Sequence, residues 1–263
     1  MFDMHIHIIP GIDDGAKDES ITRQMLRIAA QNGTTRMVAT PHVIEGDWLP
    51  AWEEITGHCQ NLRQMAEELR VQLHIFPGGE IAMSMDILDL LKGPGPYCIN
   101  GGRYLLVEFP AAEIPDFADD FFFTLQTRGI TPVIAHPERH PVIARRPELL
   151  AQWINKGILT QVNCSSLTGK MGERAMKTAE LLAANQMIYL LGSDAHGIRT
   201  RNPDMTEGIG KLGELTGPDE VRRITHEHPL AVVNSREVAT REISRIVRPE
   251  SPGLLKRLFH KFR

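Results

Sequence analysis

The sequence of 263 residues predicts an α/β protein whose parallel strands close into a barrel. Seven short runs rich in strand-forming residues alternate with longer runs in which apolar residues recur every three to four positions. This alternation is typical of a parallel sheet, and closure is the simplest arrangement for about seven or eight strand–helix units. Gly33, Gly129 and Gly157 each follow a predicted helix and precede a predicted strand, where helices commonly end in glycine.

The predicted elements follow one another in regular order along the chain. We predict strands at residues 2–8, 36–40, 73–77, 104–109, 131–135, 159–162 and 187–191. We predict helices at residues 20–31, 51–70, 81–91, 115–127, 146–155 and 173–185. Together they predict a single domain over residues 1–247, followed by a basic amphipathic tail over residues 248–263.

The composition suits a cytoplasmic globular enzyme. Hydrophobic residues make up 42% of the chain, which is ample material for a core, and the formal net charge of −4 is unlike that of a general nucleic-acid binder. The three cysteines are odd in number and widely spaced, as expected for reduced thiols. Asp3 and His5 interrupt any signal peptide, and no apolar run reaches the roughly 18 to 20 residues of a membrane span, so we expect a soluble, cytoplasmic protein.

The first strand carries the first indication of a metal site. His5 and His7 are two residues apart, so an extended strand places them on one face, while Met4, Ile6 and Ile8 face the other way. Alone, such a pair more often belongs to a solvated strand face. The case for a metal therefore depends on what the other strands contribute.

Similar residues recur at the carboxyl ends of the predicted strands, the edge that forms the active site of barrel enzymes. Five histidines and four acidic residues stand there: His5, His7, Asp14, His42, Glu80, Glu108, His136, Asp194 and His196. Only the sixth strand, which runs into Asn163, ends without one. Each residue alone also suits an ordinary loop, but the whole set predicts a shared site.

The mixture of histidines and acids indicates divalent metals. Converging carboxylates repel one another unless cations lie among them. Imidazole and carboxylate ligands together suit Zn, Mn, Fe or Mg. At roughly three or four protein ligands per ion, nine candidates predict two or three metals.

These motifs resemble a known family. The segments that carry the resemblance are His5-Ile6-His7, Asp13-Asp14-Gly15, Thr40-Pro41-His42, Gly79-Glu80, Val107-Glu108-Phe109-Pro110, Ala135-His136-Pro137-Glu138-Arg139 and Gly192-Ser193-Asp194-Ala195-His196. Over about residues 1–235 the chain is similar to the polymerase-and-histidinol-phosphatase (PHP) fold and, within it, to the bacterial protein-tyrosine phosphatases of capsule and exopolysaccharide operons. The resemblance implies a distorted (β/α)7 barrel with three divalent metal ions, Mn being expected and Mg, Fe, Co or Zn the alternatives.

The resemblance also implies roles for the individual residues. The first metal would be held by His5, His7, Glu80 and Asp194. Glu80 would bridge to a second metal held with Glu108 and His136, and the third would be held by Asp14, His42 and His196. Arg139 and Arg201 would bind the phosphate, with Arg199 as the competing candidate for the second position.

The implied chemistry is attack on a phosphate monoester by a hydroxide that bridges metals. Four ligand carboxylates and three divalent ions leave the site net cationic, which attracts a phosphate dianion. Metal coordination lowers the pKa of water from about 15.7 to about 7, and planar guanidinium groups suit phosphate oxygens. The cysteine-dependent route is excluded because none of the three cysteines is followed by arginine at the Cys-x5-Arg spacing.

The expected substrate is a phosphotyrosine protein, and the resemblance points to a tyrosine kinase of polysaccharide assembly. Two alternatives stay open. One is a phosphoesterase of the same fold that acts on a small monoester such as histidinol phosphate, and the other is a noncatalytic metal-binding module of an export assembly. The basic tail suits docking on the barrel or on a second subunit better than contact with an anionic membrane.

Several aromatic residues are expected to have packing roles. Phe121, Phe122 and Phe123 suit the core side of a helix. Trp48 is expected to pack near the surface, with contact to a peptide substrate as the alternative because it closely follows His42. His140 suits a loop or a supporting position as well as it suits catalysis.

Overall fold

Parallel strands alternate with helices through residues 1–248, the part of the chain that the computed structural model describes. The strands are β1 (Phe2–Ile6), β2 (Arg36–Ala39), β3 (His42–Val43), β4 (His74–Pro77), β5 (Glu80–Ala82), β6 (Tyr104–Glu108), β7 (Thr131–Ala135), β8 (Leu159–Asn163) and β9 (Leu190–Gly192). A strand is present at each of the seven predicted places, within a few residues of its expected bounds. The predicted tail lies outside the described residues, apart from Arg248.

Two of the seven strand positions are split into two segments. A gap that contains Pro41 separates β2 from β3, and Gly78 and Gly79 separate β4 from β5. The strands therefore pair in the parallel orders β1-β2-β4 and β3-β5-β6-β7-β8-β9. The Gly78 amide donates to the Ala39 carbonyl at 3.0 Å and the Glu80 amide to the Pro41 carbonyl at 2.9 Å, so one set of strands continues into the other.

The sheet curls until its last strand meets its first. Ile6 forms a parallel bridge with Ala195, just beyond β9. The Asp194 amide donates to the His5 carbonyl at 2.8 Å, and the His7 amide donates to the Ala195 carbonyl at 3.0 Å. These bonds place the end of β1 beside the end of β9, and the predicted closure of a parallel sheet is confirmed.

Helices cover the outside of the curled sheet. They are α1 (Glu19–Gln31), α2 (Trp52–Glu68), α3 (Ala118–Thr127), α4 (Pro141–Arg145), α5 (Pro147–Asn155), α6 (Cys164–Leu167), α7 (Glu173–Ala184), α8 (Thr206–Thr216), α9 (Pro218–Arg222) and α10 (His228–Val233). Among these, α4, α6 and the helices after residue 200 were not predicted from the sequence.

The predicted helix over residues 81–91 is wrong. Its beginning is part of β5, in which Glu80 lies beside Leu106 of β6 in parallel register, and only a short 3-10 turn at Asp86–Asp89 follows. The apolar residues of this segment have helical spacing, but the pairing of β5 with β6 provides backbone hydrogen bonds that a local pattern does not reveal.

Strand β1 is buried on both faces. Met4, Ile6 and Ile8 belong to the hydrophobic core, and His5 and His7 on the other face are equally inaccessible. A solvated strand face, the ordinary explanation for such a histidine pair, is therefore excluded.

The segment that follows α10 contacts the amino ends of two strands, at the opposite end of the barrel from the ligands. Residues 236–248 contain neither helix nor strand. The backbone amides of Val238 and Arg241 donate to the hydroxyls of Tyr104 and Tyr189, which lie at the amino ends of β6 and β9. The carboxyl edge of the sheet is left open for the site. Among residues 1–248, no helix has both the length and the apolar character to span a membrane.

The three consecutive phenylalanines of α3 differ in their surroundings. Phe121 and Phe122 are fully buried, and Phe122 packs edge-on against Trp153 at 5.4 Å between ring centroids. Phe123 is 67% exposed. The predicted core role is therefore confirmed for the first two rings and wrong for the third, because adjacent residues on a helix point about 100° apart.

This difference provides a test of the packing. Phe122→Ala should lower the free energy of unfolding by about 3 to 5 kcal/mol, because it removes a buried ring and leaves a cavity. Phe123→Ala, the matched control on the same helix, should change it by less than about 0.5 kcal/mol. Urea unfolding followed by circular dichroism measures both, and equal effects of the two substitutions would contradict this packing.

Candidate metal centre

All nine predicted ligand residues meet at the carboxyl edge of the sheet. They come from the ends of β1, β6, β7 and β9, the starts of β3 and β5, and the loop that follows β1: His5, His7, Asp14, His42, Glu80, Glu108, His136, Asp194 and His196. Their side-chain nitrogen and oxygen atoms form three overlapping groups.

The first group surrounds the two histidines of the first strand. The Nε2 atoms of His5 and His7 lie 3.0 Å apart, and each is 3.3 Å from Oε2 of Glu80. Oδ1 of Asp194 is 3.7 Å from the first nitrogen and 3.6 Å from the second. These four side chains are almost fully buried and direct their polar atoms to one point.

The second group is centred on Glu80. Its Oε1 lies 3.0 Å from Nε2 of His136, which is also 3.5 Å from Oε1 of Glu108. Nδ1 of His42 lies 3.1 Å from Oε2 of Glu80 and 4.0 Å from Oε2 of Glu108. Because its two oxygens face different histidines, Glu80 has the position of a bridging carboxylate.

The third group faces the solvent. Oδ1 of Asp14 lies 3.2 Å from Nε2 of His196 and 3.5 Å from Nε2 of His42. The Asp14 side chain is 47% exposed, whereas the other acids of the centre are buried or only partly accessible. His42 directs one ring nitrogen to this group and the other to Glu80, so it lies between two of the groups.

The hydrogen bonds of three imidazoles show which nitrogen faces the centre. Nδ1 of His5 donates to Oε1 of Gln161 at 2.8 Å, and Nδ1 of His7 donates to Oδ2 of Asp13 at 2.7 Å. Nδ1 of His196 donates in the same way to a backbone carbonyl at 3.0 Å. A neutral imidazole that donates from Nδ1 presents a lone pair at Nε2, so in their neutral forms all three histidines direct an Nε2 lone pair into the centre.

This donor set fits divalent metal ions. When both imidazoles are neutral, the Nε2 lone pairs of His5 and His7 face each other at 3.0 Å, and either a proton or a metal cation between the two nitrogens satisfies both. Nδ1 of His42 and Oε2 of Glu80 lie 3.1 Å apart but are not aligned for a hydrogen bond, and neither atom has another hydrogen-bond partner among residues 1–248. Buried polar atoms of this kind ordinarily have partners, and metal coordination would provide them.

The neighbouring carboxylates also stabilise the protonated forms of two of the histidines and so raise their pKa. Burial lowers the pKa of His7, but hydrogen bonds to Asp13 and Glu80 outweigh burial and raise it to about 10. For His136, burial is likewise outweighed by Glu80, and the pKa rises to about 9. The pKa of His196 instead falls to about 3, because burial and the neighbouring His7 disfavour its protonated form. Bound divalent ions would stabilise the buried carboxylates in the same way as a protonated imidazole does.

Supporting residues that sequence reasoning missed hold the ligands in place. Asp13, which precedes the candidate ligand Asp14, orients His7 and accepts from the His42 amide at 3.0 Å. The sixth predicted strand ends without a metal ligand, but its Gln161 orients His5, and Asn163 donates to Oδ2 of Asp194 at 2.7 Å. Two polar residues at i and i+2 on a buried strand are the signal that could have revealed them.

Two glycines allow the ligand strands to approach closely. A Cβ atom at Gly192 would lie 2.5 Å from Cβ of His5 and 2.8 Å from the Gln161 side chain. A Cβ atom at Gly15 would lie 2.4 Å from the His7 carbonyl oxygen. Larger residues at either position would displace a candidate ligand.

Two candidate ligands have strained backbones. His136 has φ of 30° and Asp194 has φ of 51°, in the left-handed region that few residues other than glycine adopt. Such conformations cost about 1 to 3 kcal/mol each and are found mainly at functional sites, where the surroundings hold them.

Both predicted arginines lie at the rim of the centre. Nη1 of Arg139 donates to Oδ2 of Asp194 at 2.8 Å, and Nη2 of Arg201 donates to Oδ1 of the same carboxylate at 2.5 Å. Each side chain is about one-third exposed, at 32%. Arg199 is exposed and lies beside Arg201 in the same loop.

Two other residues near the centre have clear packing roles. The Trp48 ring stacks on His42 at 5.5 Å between centroids, with 15° between the planes. Nδ1 of His140 accepts from the Val142 amide and caps α4, and its Nε2 donates to the Pro110 carbonyl at 3.0 Å. His140 therefore supports the loop after β7.

Comparison with known proteins identifies the family. The family model for capsular polysaccharide synthesis, CpsB/CapC, matches residues 1–234. This chain belongs to the CpsB/CapC family. The resemblance seen in the sequence is thereby confirmed.

Relatives and solved structures agree with this assignment. The chain is 32% identical to the tyrosine-protein phosphatase YwqE of Bacillus subtilis over 264 aligned residues, which cover 100% of both proteins. It is 25% identical to the tyrosine-protein phosphatase CpsB of Streptococcus pneumoniae over 238 residues, 89% of this chain and 98% of that protein.

A solved structure described as one of YwqE from B. subtilis and CpsB from S. pneumoniae, "unique metal-dependent tyrosine phosphatases", matches with a TM-score of 0.87 and 30% identity over 94% of this chain and 100% of that one. The L-hydantoinase of Arthrobacter aurescens matches with a TM-score of 0.51 at 13% identity, over 94% of this chain and 73% of that one, and shares the fold alone.

The hydrogen bond from His7 to Asp13 can be tested separately from the ligands. Asp13→Asn should lower the affinity for Mn²⁺ by about 10- to 100-fold, because the amide holds His7 less firmly and favours a different tautomer. Asp47→Asn, an exposed aspartate of the loop after β3, is the matched control. Competition with a metal indicator dye measures both affinities, and unchanged affinity in the Asp13 variant would exclude the orienting role.

Proposed function

We propose that this protein is a metal-dependent protein-tyrosine phosphatase. The observation that carries the proposal is the pair of Nε2 atoms of His5 and His7, which converge with Glu80 in a buried centre that has arginines at its rim. The names of the family's characterised members support the same activity. Acidic and imidazole ligands with guanidinium groups beside them suit phosphate monoester hydrolysis.

The proposal includes three divalent ions, with Mn expected and Mg, Fe, Co or Zn as alternatives. The proposed ligands are His5, His7, Glu80 and Asp194 for the first, Glu80, Glu108 and His136 for the second, and Asp14, His42 and His196 for the third. Divalent metals lower the pKa of coordinated water to about 7 and neutralise phosphate charge. With four carboxylates and three divalent ions the centre is net cationic and suits a phosphate dianion.

The arginines are proposed to hold the phosphate. Arg139 and Arg201 approach one carboxylate, Asp194, from its two oxygens, so their guanidinium groups already converge on a single anionic position. A guanidinium group presents paired N–H donors that match phosphate oxygens and carries its charge at any physiological pH. Their role is to orient the phosphate and to stabilise the negative charge that develops on its oxygens.

The leaving group is proposed to occupy a cavity of about 450 Å³ beside the centre. Glu108, His136 and Arg139 of the centre are among its lining residues, and Phe109 and Met171 add apolar surface to its walls. Such walls suit an aromatic ring. A phenol has a pKa near 10, so its oxygen leaves with less need for a general acid than an alkyl alcohol does.

A thiol nucleophile does not fit this protein. The three cysteines are unpaired and buried, and burial raises the pKa of Cys59 to about 12 and of Cys98 to about 11. Burial raises the pKa of Cys164 well above its ordinary value too. Unpaired, protonated thiols support a cytoplasmic location, which is also part of the proposal.

The natural substrate is proposed to be a tyrosine-phosphorylated kinase of polysaccharide assembly. The family description, capsular polysaccharide synthesis, supports this choice. An activity on small monoesters such as histidinol phosphate, and a noncatalytic metal-binding role, are the outcomes that the next experiment separates from it.

Metal dependence is the first test. Purified protein should hydrolyse a phosphotyrosine peptide, lose this activity on treatment with a chelator, and regain it when Mn²⁺ is added back. Phosphate release is measured alongside metal content, with a phosphoserine peptide and histidinol phosphate as comparison substrates. Faster turnover of histidinol phosphate would favour the small-molecule alternative, and full metal loading with no hydrolysis would favour the noncatalytic one.

The phosphate-binding role of the arginines is the second test. Arg139→Ala and Arg201→Ala should each lower kcat/KM by about 10²- to 10³-fold, since one fixed donor to the developing charge is lost. Bound metal should stay nearly constant, and Arg145→Ala on the exposed end of α4 serves as the charge-matched control. Full activity of Arg139→Ala would remove that residue from the mechanism, and a larger loss for Arg199→Ala than for Arg201→Ala would assign the second position to Arg199.

A further inference from the structure

A second cavity, of about 490 Å³, opens on another side of the metal centre and is lined by cations. Its charged residues are Lys17, Arg199 and Arg201, and His196 lies in its wall. Of the described residues, no aspartate or glutamate lines it. We name it the cationic pocket.

The cationic pocket is continuous with the candidate metal centre. His196 belongs to both, since its Nε2 lies 3.2 Å from Oδ1 of Asp14. Arg201 also belongs to both through its contact with Asp194. A peptide whose phosphate lies at the centre can therefore place a neighbouring side chain in this pocket.

Two of the three cationic side chains of the pocket are not neutralised by an ion pair within the described residues. Arg201 is partly neutralised by Asp194, whereas Lys17 and Arg199 are exposed and form no ion pair within residues 1–248. Asp18, which follows Lys17, does not line the pocket, because its carboxylate caps α1 by accepting from the Ile21 amide at 2.9 Å. Lys17 and Arg199 thus present positive charge to the pocket that no ion pair within the described residues neutralises.

The lining also offers apolar contact. Ile21 of α1 and Ile198 of the loop after β9 are part of the wall. A ligand that suits the cationic pocket therefore has an anionic end on an aliphatic or aromatic stem. Acidic side chains and phosphorylated tyrosines both have this character.

We propose that the cationic pocket binds a second anionic group, a carboxylate or a phosphate, on the same peptide as the phosphotyrosine that is hydrolysed. Lys17 and Arg199 are the residues that determine this preference. The proposal rests on the tyrosine phosphatase activity proposed above and adds a substrate class to it: peptides with negative charge beside the target tyrosine. A guanidinium fork and a mobile ammonium group both accommodate either anion.

The expected size of the effect follows from the exposure of these side chains. An exposed ion pair changes an affinity by about two- to fivefold, so two such pairs together give about four- to twenty-five-fold. Because the pocket is open to solvent, added salt should weaken the preference.

The test compares three peptides that carry a nonhydrolysable phosphonate in place of the target phosphotyrosine. One has neutral flanking residues, one has glutamates, and one has a second phosphonate tyrosine. Fluorescence anisotropy gives the Kd of each for the metal-loaded full chain. Both anionic peptides should bind tighter than the neutral one, and the larger gain identifies whether carboxylate or phosphate is preferred.

Variants attribute the preference to the pocket. In the double variant Lys17→Ala/Arg199→Ala the Kd ratio of neutral to anionic peptide should fall close to one. Arg27→Ala, an exposed arginine on the same helix as the pocket wall, should keep the wild-type ratio. Equal binding of all three peptides by the wild type, or an unchanged ratio in the double variant, would overturn the proposal.

The outcome is separable from that of the proposed activity. Hydrolysis of an ordinary phosphotyrosine peptide by the metal-loaded protein tests the activity, whereas the Kd ratio is measured on peptides that cannot be hydrolysed. An anion preference without turnover would support the pocket and refute the phosphatase. Turnover without an anion preference would do the opposite, and the absence of both turnover and phosphonate binding would refute both.

Discussion

The buried carboxylate of Glu80 is the constraint on which the rest of the site depends. It is 1% exposed and lies within 3.3 Å of a ring nitrogen of His5, His7, His42 and His136. A carboxylate in such a place is stable only if positive charge lies close to it, because burial alone penalises its ionised form severely. Histidines on or directly after three strands, β1, β3 and β7, converge on this one side chain, and the split between β4 and β5 sets its position.

The layer of residues around the ligands makes the centre rigid. Asp13 and Gln161 bind the outer nitrogens of His7 and His5, so the inner nitrogens are fixed with their lone pairs toward one point. Asn163 holds Asp194, whose left-handed backbone would otherwise be unfavourable. Ligand side chains that are held in this way lose little conformational entropy when they bind metal, which is the usual benefit of preorganisation.

The residues proposed for phosphate hydrolysis and those proposed for substrate binding lie in different parts of the carboxyl edge of the sheet. The buried histidines and acids provide the charge that suits a phosphate, while the arginines at the rim are partly exposed and accessible to a substrate. Beyond the rim lie one cavity with apolar walls near Phe109 and another with Lys17 and Arg199. Because of this separation, the residues that flank the phosphotyrosine can be recognised by side chains that do not contact the proposed metals.

The sequence by itself determined the parallel α/β architecture and the identity of the nine candidate ligands. Both depend on regularities that are local: side chains alternate along a strand, and parallel strands bring their carboxyl ends to one edge. The tertiary structure alone decided which atoms meet. It placed His42 between two groups, paired Gln161 with His5, and made the start of the predicted helix at residues 81–91 part of β5. The physical reason is that such contacts join residues far apart in the chain, and they arise only when the sheet has closed.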